Sequence, residues 1–289
     1  MNIEEILSQL KSEDSTFPRK ALKAAISQRE EITPHLLKII ENVNHDSSEL
    51  LNRERDLSLI YAMFLLAQFR EPSAYPLIVT LVSKNEQVVE DLLGDLVTED
   101  LGRMLASVYD GRLELIQELI ENHSLYEYVR TAAIKCLTIL VAHKLLPREV
   151  VINYFRLLFN SKLKKDGSYV WTSLVCESTN LCPKELEIEI RKTFEADLIE
   201  PFFINLKDVE KSLKTNINQS LSSLRKNHHY SLINNTIAEI EGWACFKHEP
   251  SKKTISTEEV APSFSGLFKK TNTSNKKLKK SQNKKKGFG

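Results

Sequence analysis

Glycine is scarce in this 289-residue chain, with 8 residues in all, and no glycine-rich run exists that could cradle a phosphate. Cysteine is equally thin. Four residues at irregular spacing supply no disulfide framework and fit a reducing compartment. Long apolar runs are also missing, since YAMFLLAQF and LTILVAH are too short to span a bilayer. Neither HExxH nor a serine nucleophile elbow occurs. The opening MNIEEILSQLKSED brings acidic residues early and no uninterrupted apolar segment, which is unlike a signal peptide. A cytoplasmic protein is the expectation, with export by a route lacking a cleaved signal still compatible. Clean strand alternation is absent as well, and the one tempting run, 75–82, lies between two helical patterns.

What the chain does have is a division of charge. From residue 251 onward there are 11 Lys and 2 acidic residues, whereas the preceding 250 residues hold 29 basic and 37 acidic ones. A net charge of +9 at one end and −8 elsewhere suggests a molecule that binds or positions something.

The first 250 residues read as helix after helix. Apolar residues recur at helical spacing over 3–10, over 55–69 (Leu59, Met63, Leu66, Phe69), over 73–82 and over 86–93. Pro18 suits the first turn of a helix running to Gln28, and Thr33 with Pro34 reads as the cap and first position of the next. Thr98 reads as the cap of a helix over 99–109, which Asp110-Gly111 ends. Further helices are expected over 113–120, 126–143, 147–159 and 169–178, and from Pro183 onward. The first helices of successive pairs start about 43, 29 and 41 residues apart, a range that brackets the helical-repeat periods. One pair cannot bury both its apolar sides, whereas stacked pairs share a core. The expected fold is therefore all-α, a HEAT/armadillo-like α-solenoid of antiparallel helix pairs. The pattern divides the chain into a repeat domain over 1–210, a polar helical extension or cap over 211–248, and a Lys-rich tail over 249–289. In the extension, helices are expected over 209–225 and 232–246, the latter through Ile233, Ile237, Ile240 and Trp243. The tail is Ser-, Thr-, Asn- and Lys-rich and has the composition of disorder.

The stretches YAMFLLAQFREPSAYPLIVTLVS, EDLLGDLVTEDLGRMLASVYDG, EYVRTAAIKCL, LPREVVINYFRLLF and IRKTFEADLIEPFFINLKDVE, in that order, resemble an uncharacterised bacterial family, domain of unknown function 1186. The resemblance covers about 15–210. It implies a HEAT-like helical body and carries no catalytic residues to transfer. Some relatives continue into a Cys-rich, zinc-binding SEC-C motif; this chain has a Lys-rich tail instead, so zinc does not carry over.

Among candidate sites, the segment 94–102 is the densest acidic point with ordered flanks. Acids near a helix start interact favourably with its free N–H groups. Alternatively Asp95, Glu99, Asp110 and Glu118 line a repeat edge and receive Arg or Lys from a protein partner, and a metal or acid–base site there ranks third. Gly102, inside a helix, points to close approach of a neighbouring helix or to ligand access, with packing favoured. Of Tyr169 and Trp171, one is expected in the core and the other as an anchor for a partner. Cys176, Cys182, Cys245 and His248 lack zinc-finger spacing. Cys136 and His143 lie two helical turns apart, roughly 10 Å, too far for a direct hydrogen bond. No cofactor is expected.

In the tail, Lys269, Lys270, Lys276, Lys277, Lys279, Lys280, Lys284, Lys285 and Lys286 suit salt-sensitive contact with phosphates or an anionic membrane surface. Contact with the acidic body, or simple solubilisation, fits them equally. The absence of arginine argues against base-specific readout. The expected role is a noncatalytic scaffold or adaptor for a protein or peptide. The alternatives are a nucleic-acid or ribonucleoprotein-associated protein using the tail, and an enzyme with a site around Asp95 and Glu99.

Overall fold

A computed structural model of the chain describes residues 1–11, 16–52 and 56–246. The expectations on the tail and on His248 lie outside the described residues. Every regular element among the described residues is helical. The chain opens with α1 (Ile3–Leu10), α2 (Arg19–Ser27), α3 (Arg29–His45) and a single turn, α4 (Ser48–Leu51). It continues through α5 (Ser58–Phe69), α6 (Ala74–Val82), α7 (Glu86–Leu93), α8 (Leu96–Glu99), α9 (Leu101–Val108) and α10 (Leu113–Glu121). Next come α11 (Glu127–Ala142), α12 (Arg148–Leu157), α13 (Tyr169–Asn180) and α14 (Glu187–Glu195). The last are α15 (Leu206–Leu213), α16 (Ile217–Lys226) and α17 (Thr236–Ile240).

The pairs stack as a HEAT-like solenoid. An inner row runs α3, α5, α9, α11, α13, each packed on the next, while α6, α10, α12 and α14 form an outer row. Apart from α3, which buries only one face, the inner helices are covered on nearly all sides. In α5 every residue but Gln68 is buried, and α11 is buried from Val129 to Ala142 except at Lys135. A helix apolar all round is a core helix rather than an amphipathic one, which explains why these segments read as short continuous hydrophobic runs. Where α9 crosses α11 the backbones nearly touch. A Cβ built on Gly102 would lie 2.8 Å from the Ala132 carbonyl oxygen, so packing, the favoured explanation for this glycine, is the one observed.

Several local expectations need correction. Thr33 does not cap a helix, because α3 begins at Arg29 and runs through Pro34. Proline there removes only the bond to the carbonyl of exposed Glu30, and the Thr33 hydroxyl donates to the Arg29 carbonyl at 2.7 Å. Thr98 is likewise no cap: it lies inside α8, its hydroxyl donates backward to the Asp95 carbonyl at 3.0 Å, and α9 starts only at Leu101. The helix expected over 209–225 is broken at Lys214–Asn216, since the Asn216 side chain accepts from the amides of Asn218 and Gln219 at 2.9 and 3.3 Å and starts α16.

The segment expected as a helix over 232–246 departs most. Ile233, Ile237 and Ile240 are buried and Trp243 packs on Phe64 at 5.9 Å between ring centroids, in keeping with their apolar spacing. Residues 232–235 are nevertheless outside any helix, with extended backbone at Ser231 and Asn235, and only α17 and a last turn over Ala244–Phe246 are helical. Asn235 caps α17 through the Ala238 amide at 3.2 Å, which stops the helix from starting earlier. The segment 228–246 returns across α11, α9, α5 and α2, so it acts as a strap over the inner row.

Candidate functional site

The strap is held in a way that no sequence pattern announces. Its extended backbone is gripped by side chains rather than by another strand. His143 donates through Nε2 to the Tyr230 carbonyl at 3.0 Å, and Arg103 donates through Nε to the Ser231 carbonyl at 2.9 Å. Ser107 accepts from the Ile233 amide at 3.0 Å, Arg70 donates to the Ile233 carbonyl at 2.6 Å, and Gln68 accepts from the Thr236 amide at 2.7 Å. These five side chains come from α5 and α9 or from the residues that close α5 and α11. Extended main chain far from a sheet must find such partners or stay wet. Burial keeps His143 below the ordinary histidine range, consistent with a neutral ring donating one N–H.

Arg103 is the centre of this hold. It is fully buried, an expensive place for a cation. Its Nη1 lies 2.5 Å from Asp100 and its Nη2 2.7 Å from Glu239 of the strap. These carboxylates outweigh burial and raise its pKa.

Beside the strap the inner row is open. A cavity of about 410 Å³ lies between α11 and α13, walled by Tyr128, Tyr169 and Phe203 and closed by Tyr230 of the strap. At its floor Glu177 is buried, accepting from the Tyr230 hydroxyl at 2.9 Å and the Asn180 amide at 3.2 Å. Burial raises the Glu177 carboxyl above the ordinary glutamate range, although these hydrogen bonds and Lys135 oppose the shift. The Thr138 hydroxyl also faces it but makes no hydrogen bond of good geometry. Lys135, from α11, also lines the cavity, its Nζ 5.5 Å over the Tyr230 ring. Burial lowers its pKa, and Glu177 is the main opposing influence. Burial pushes the Cys176 thiol up to about 12, so it is not a ready thiolate.

Aromatic rings extend outward from this cavity. Tyr126 meets Tyr128 edge-on at 5.2 Å, Tyr128 meets Tyr169 at 6.1 Å, Tyr169 meets Phe203 at 4.9 Å and Phe203 meets Phe202 at 5.2 Å. Phe202 is 92% exposed and Phe203 50% exposed, on the loop before α15.

The structure separates the residues singled out from sequence. Trp171 is core, 1% exposed, with its indole N–H donating to the Lys164 carbonyl at 2.9 Å. Tyr169 is half-buried and lines the cavity. Asp95 and Glu99 are exposed beside α8, with Glu99 contributing to the field at Lys135. Asp110 stands in the α9–α10 turn and is occupied by Arg112 at 2.5 Å, which holds its carboxyl below the usual range against burial. Glu118 is exposed on α10 of the outer row. Of the lysines before α13, Lys162 is paired with Glu121 at 2.9 Å. Among the described residues no three His, Cys, Asp or Glu side chains gather as a metal site would need. No helix among them is long and apolar enough to cross a membrane.

Lys135, Glu177 and Tyr230 were not singled out by sequence. The available signal was a single charge inside a short, mainly apolar stretch: Lys135 in AAIKCL, Glu177 in SLVCES and, for the strap, Arg103 in LGRMLA.

The model of the family described as "Protein of unknown function (DUF1186)" matches residues 1–247, taking in the strap and stopping before the Lys-rich tail. A protein of Chlamydia trachomatis, named only "Uncharacterized protein", is 42% identical over 248 residues, covering 84% of this chain and 96% of its own length. One of Chlamydia muridarum under the same name is also 42% identical over 248 residues, covering 84% of this chain and 97% of its own length. No solved structure gives a significant match. With the model matched across the whole described body, the chain belongs to the DUF1186 family.

Proposed function

We propose that this protein is a noncatalytic helical-repeat scaffold that binds an extended segment of a protein partner along its inner row. One observation carries the reading. The body already holds its own non-helical residues 231–235, and the main chain on either side of them, through side-chain hydrogen bonds to main-chain groups, and the open cavity with its aromatic wall adjoins that segment. Side chains that grip main chain are indifferent to the sequence they hold, and aromatic pockets beside them supply anchor points. Exposed Phe202 and half-exposed Phe203 extend the anchoring surface.

The test is affinity capture with the full chain and with a Tyr169→Ser/Phe203→Ser variant, followed by cross-link mapping. A partner that is lost with the variant and cross-links to α11, α13 or the loop before α15 supports the reading. Partners captured equally by both proteins, or cross-links confined to the outer row, refute it. The nucleic-acid alternative rests on lysines in 249–289, outside the described residues. A salt-sensitive RNA affinity that disappears when those lysines become glutamine is the result that would favour it.

A further inference from the structure

Lys135 lines the cavity, yet its ammonium makes no hydrogen bond or ion pair with any described residue and lies 5.5 Å over the Tyr230 ring. A partly buried cation without an acceptor is costly, and an anion that completes it removes that cost. The nearest candidate, Glu177, is already committed. One of its oxygens accepts from Tyr230 and the other from Asn180, and neither bonds the Lys135 ammonium. Glu200 stands exposed at the rim, where solvent and salt screen it. Arg103, close enough to be felt at Lys135, is neutralised by Asp100 and Glu239. Lys135 thus has no hydrogen bond or ion pair among the described residues, although Glu177, Asp100 and Glu99 act on it at longer range. Ser173 supplies a second donor there, since its hydroxyl makes no hydrogen bond with any described residue. Tyr128, Tyr169 and Phe203 wall the rest with rings.

From this arrangement we infer that the cavity receives a carboxylate carried on an apolar or aromatic stem, with Lys135 and Ser173 as its donors. Resting on the peptide-scaffold reading, the group is a carboxylate of the bound segment, either an Asp or Glu side chain or a chain terminus. The volume, about 410 Å³, accommodates a group of that size beside an aromatic ring. The net −8 of the first 250 residues slows the approach of an anion at low salt, so binding is to be measured near physiological ionic strength.

The experiment titrates the full chain with 3-phenylpropionate and with its amide, by calorimetry or ligand-observed NMR. The carboxylate is expected to bind roughly tenfold more tightly than the amide. Lys135→Met removes the difference, and Lys135→Arg restores part of it. The methionine keeps volume and removes a desolvated charge, so folding is expected to survive. Should it not, Ser173→Ala gives the same comparison with a smaller loss. Equal affinity for acid and amide, discrimination that survives in Lys135→Met, or no binding of either probe at millimolar concentration overturns the inference.

Two further probes separate the sources: acetyl-Phe-Glu-amide against its Gln counterpart, and acetyl-Ala-Phe with a free against an amidated terminus. Discrimination in the first pair assigns a side chain, and in the second a terminus. If phenylpropionate is discriminated through Lys135 but no partner segment maps to the inner row, the cavity assignment stands and the scaffold reading falls. A partner that maps there and binds Lys135→Met undiminished has the opposite meaning.

Discussion

Arg103 and Glu239 stand 136 residues apart in the chain and are joined by two hydrogen bonds, of 2.7 and 3.1 Å. The same guanidinium reaches Asp100 and the Ser231 carbonyl, so one buried cation fastens the strap to α9.

Replacing Arg103 with alanine leaves two carboxylates, 14% and 12% exposed, facing each other without their cation. The expected cost is about 3–5 kcal/mol. Urea denaturation should show the lower midpoint, and hydrogen exchange should show amides 231–239 losing protection beyond the rest of the body. A variant whose strap stays as protected as the wild type would break the proposed link.

Gly102→Ala tests the crossing of α9 and α11. With an added Cβ 2.8 Å from a backbone oxygen, neither helix can yield cheaply, and a loss of about 1–3 kcal/mol is expected. Denaturant midpoints read it directly. No change would mean that the helices separate freely.

Glu177 sets a pH dependence whose sign follows from its environment. Its folded value lies above the ordinary 4.5, so in the window between the two the folded protein keeps a proton that the unfolded chain has released. Stability from this group therefore falls as pH rises through that window and then levels off. Glu177→Gln keeps an acceptor for Tyr230 and removes the titration. Its stability should vary less across the window and at least equal the wild type at neutral pH. Parallel pH profiles for the two proteins would count against the buried, proton-retaining carboxyl.

Phe202, 92% exposed, lies on the surface proposed to bind the partner and contributes little burial to the fold. Phe202→Ser should leave stability within about 0.5 kcal/mol and weaken the captured partner by roughly tenfold. A large fall in melting temperature, or unaltered capture, would contradict this assignment.

The solenoid was legible because it is local. Apolar spacing marks α5, α11 and α13, and Gly102 in a helical run signals a close crossing. The apolar positions of the strap were also readable, since Ile233 and Ile240 do bury. Its extended course was not, because the partners that satisfy its main chain (Gln68, Arg70, Arg103, Ser107 and His143) lie 87 to 168 residues away. The cavity escaped notice for the same reason. It joins Thr98, Lys135, Glu177, Glu200 and Tyr230 from separate elements, and each of them alone looks like an ordinary polar position on a helix or loop. Local pattern weighs residues by spacing, whereas a lone charge in a buried helix has meaning only through distant partners.

The strap also imposes an order on assembly. Residues 228–246 leave the ribosome after every helix of the inner row, so Arg103, Arg70 and the row's open face must wait, during synthesis, for main chain not yet made. Contacts closed over such separations form slowly. A nascent chain halted before residue 228 would carry a stacked but unlatched body, with the Arg103 cation lacking Glu239 and an apolar seam available to whatever chaperone or neighbouring chain reaches it first.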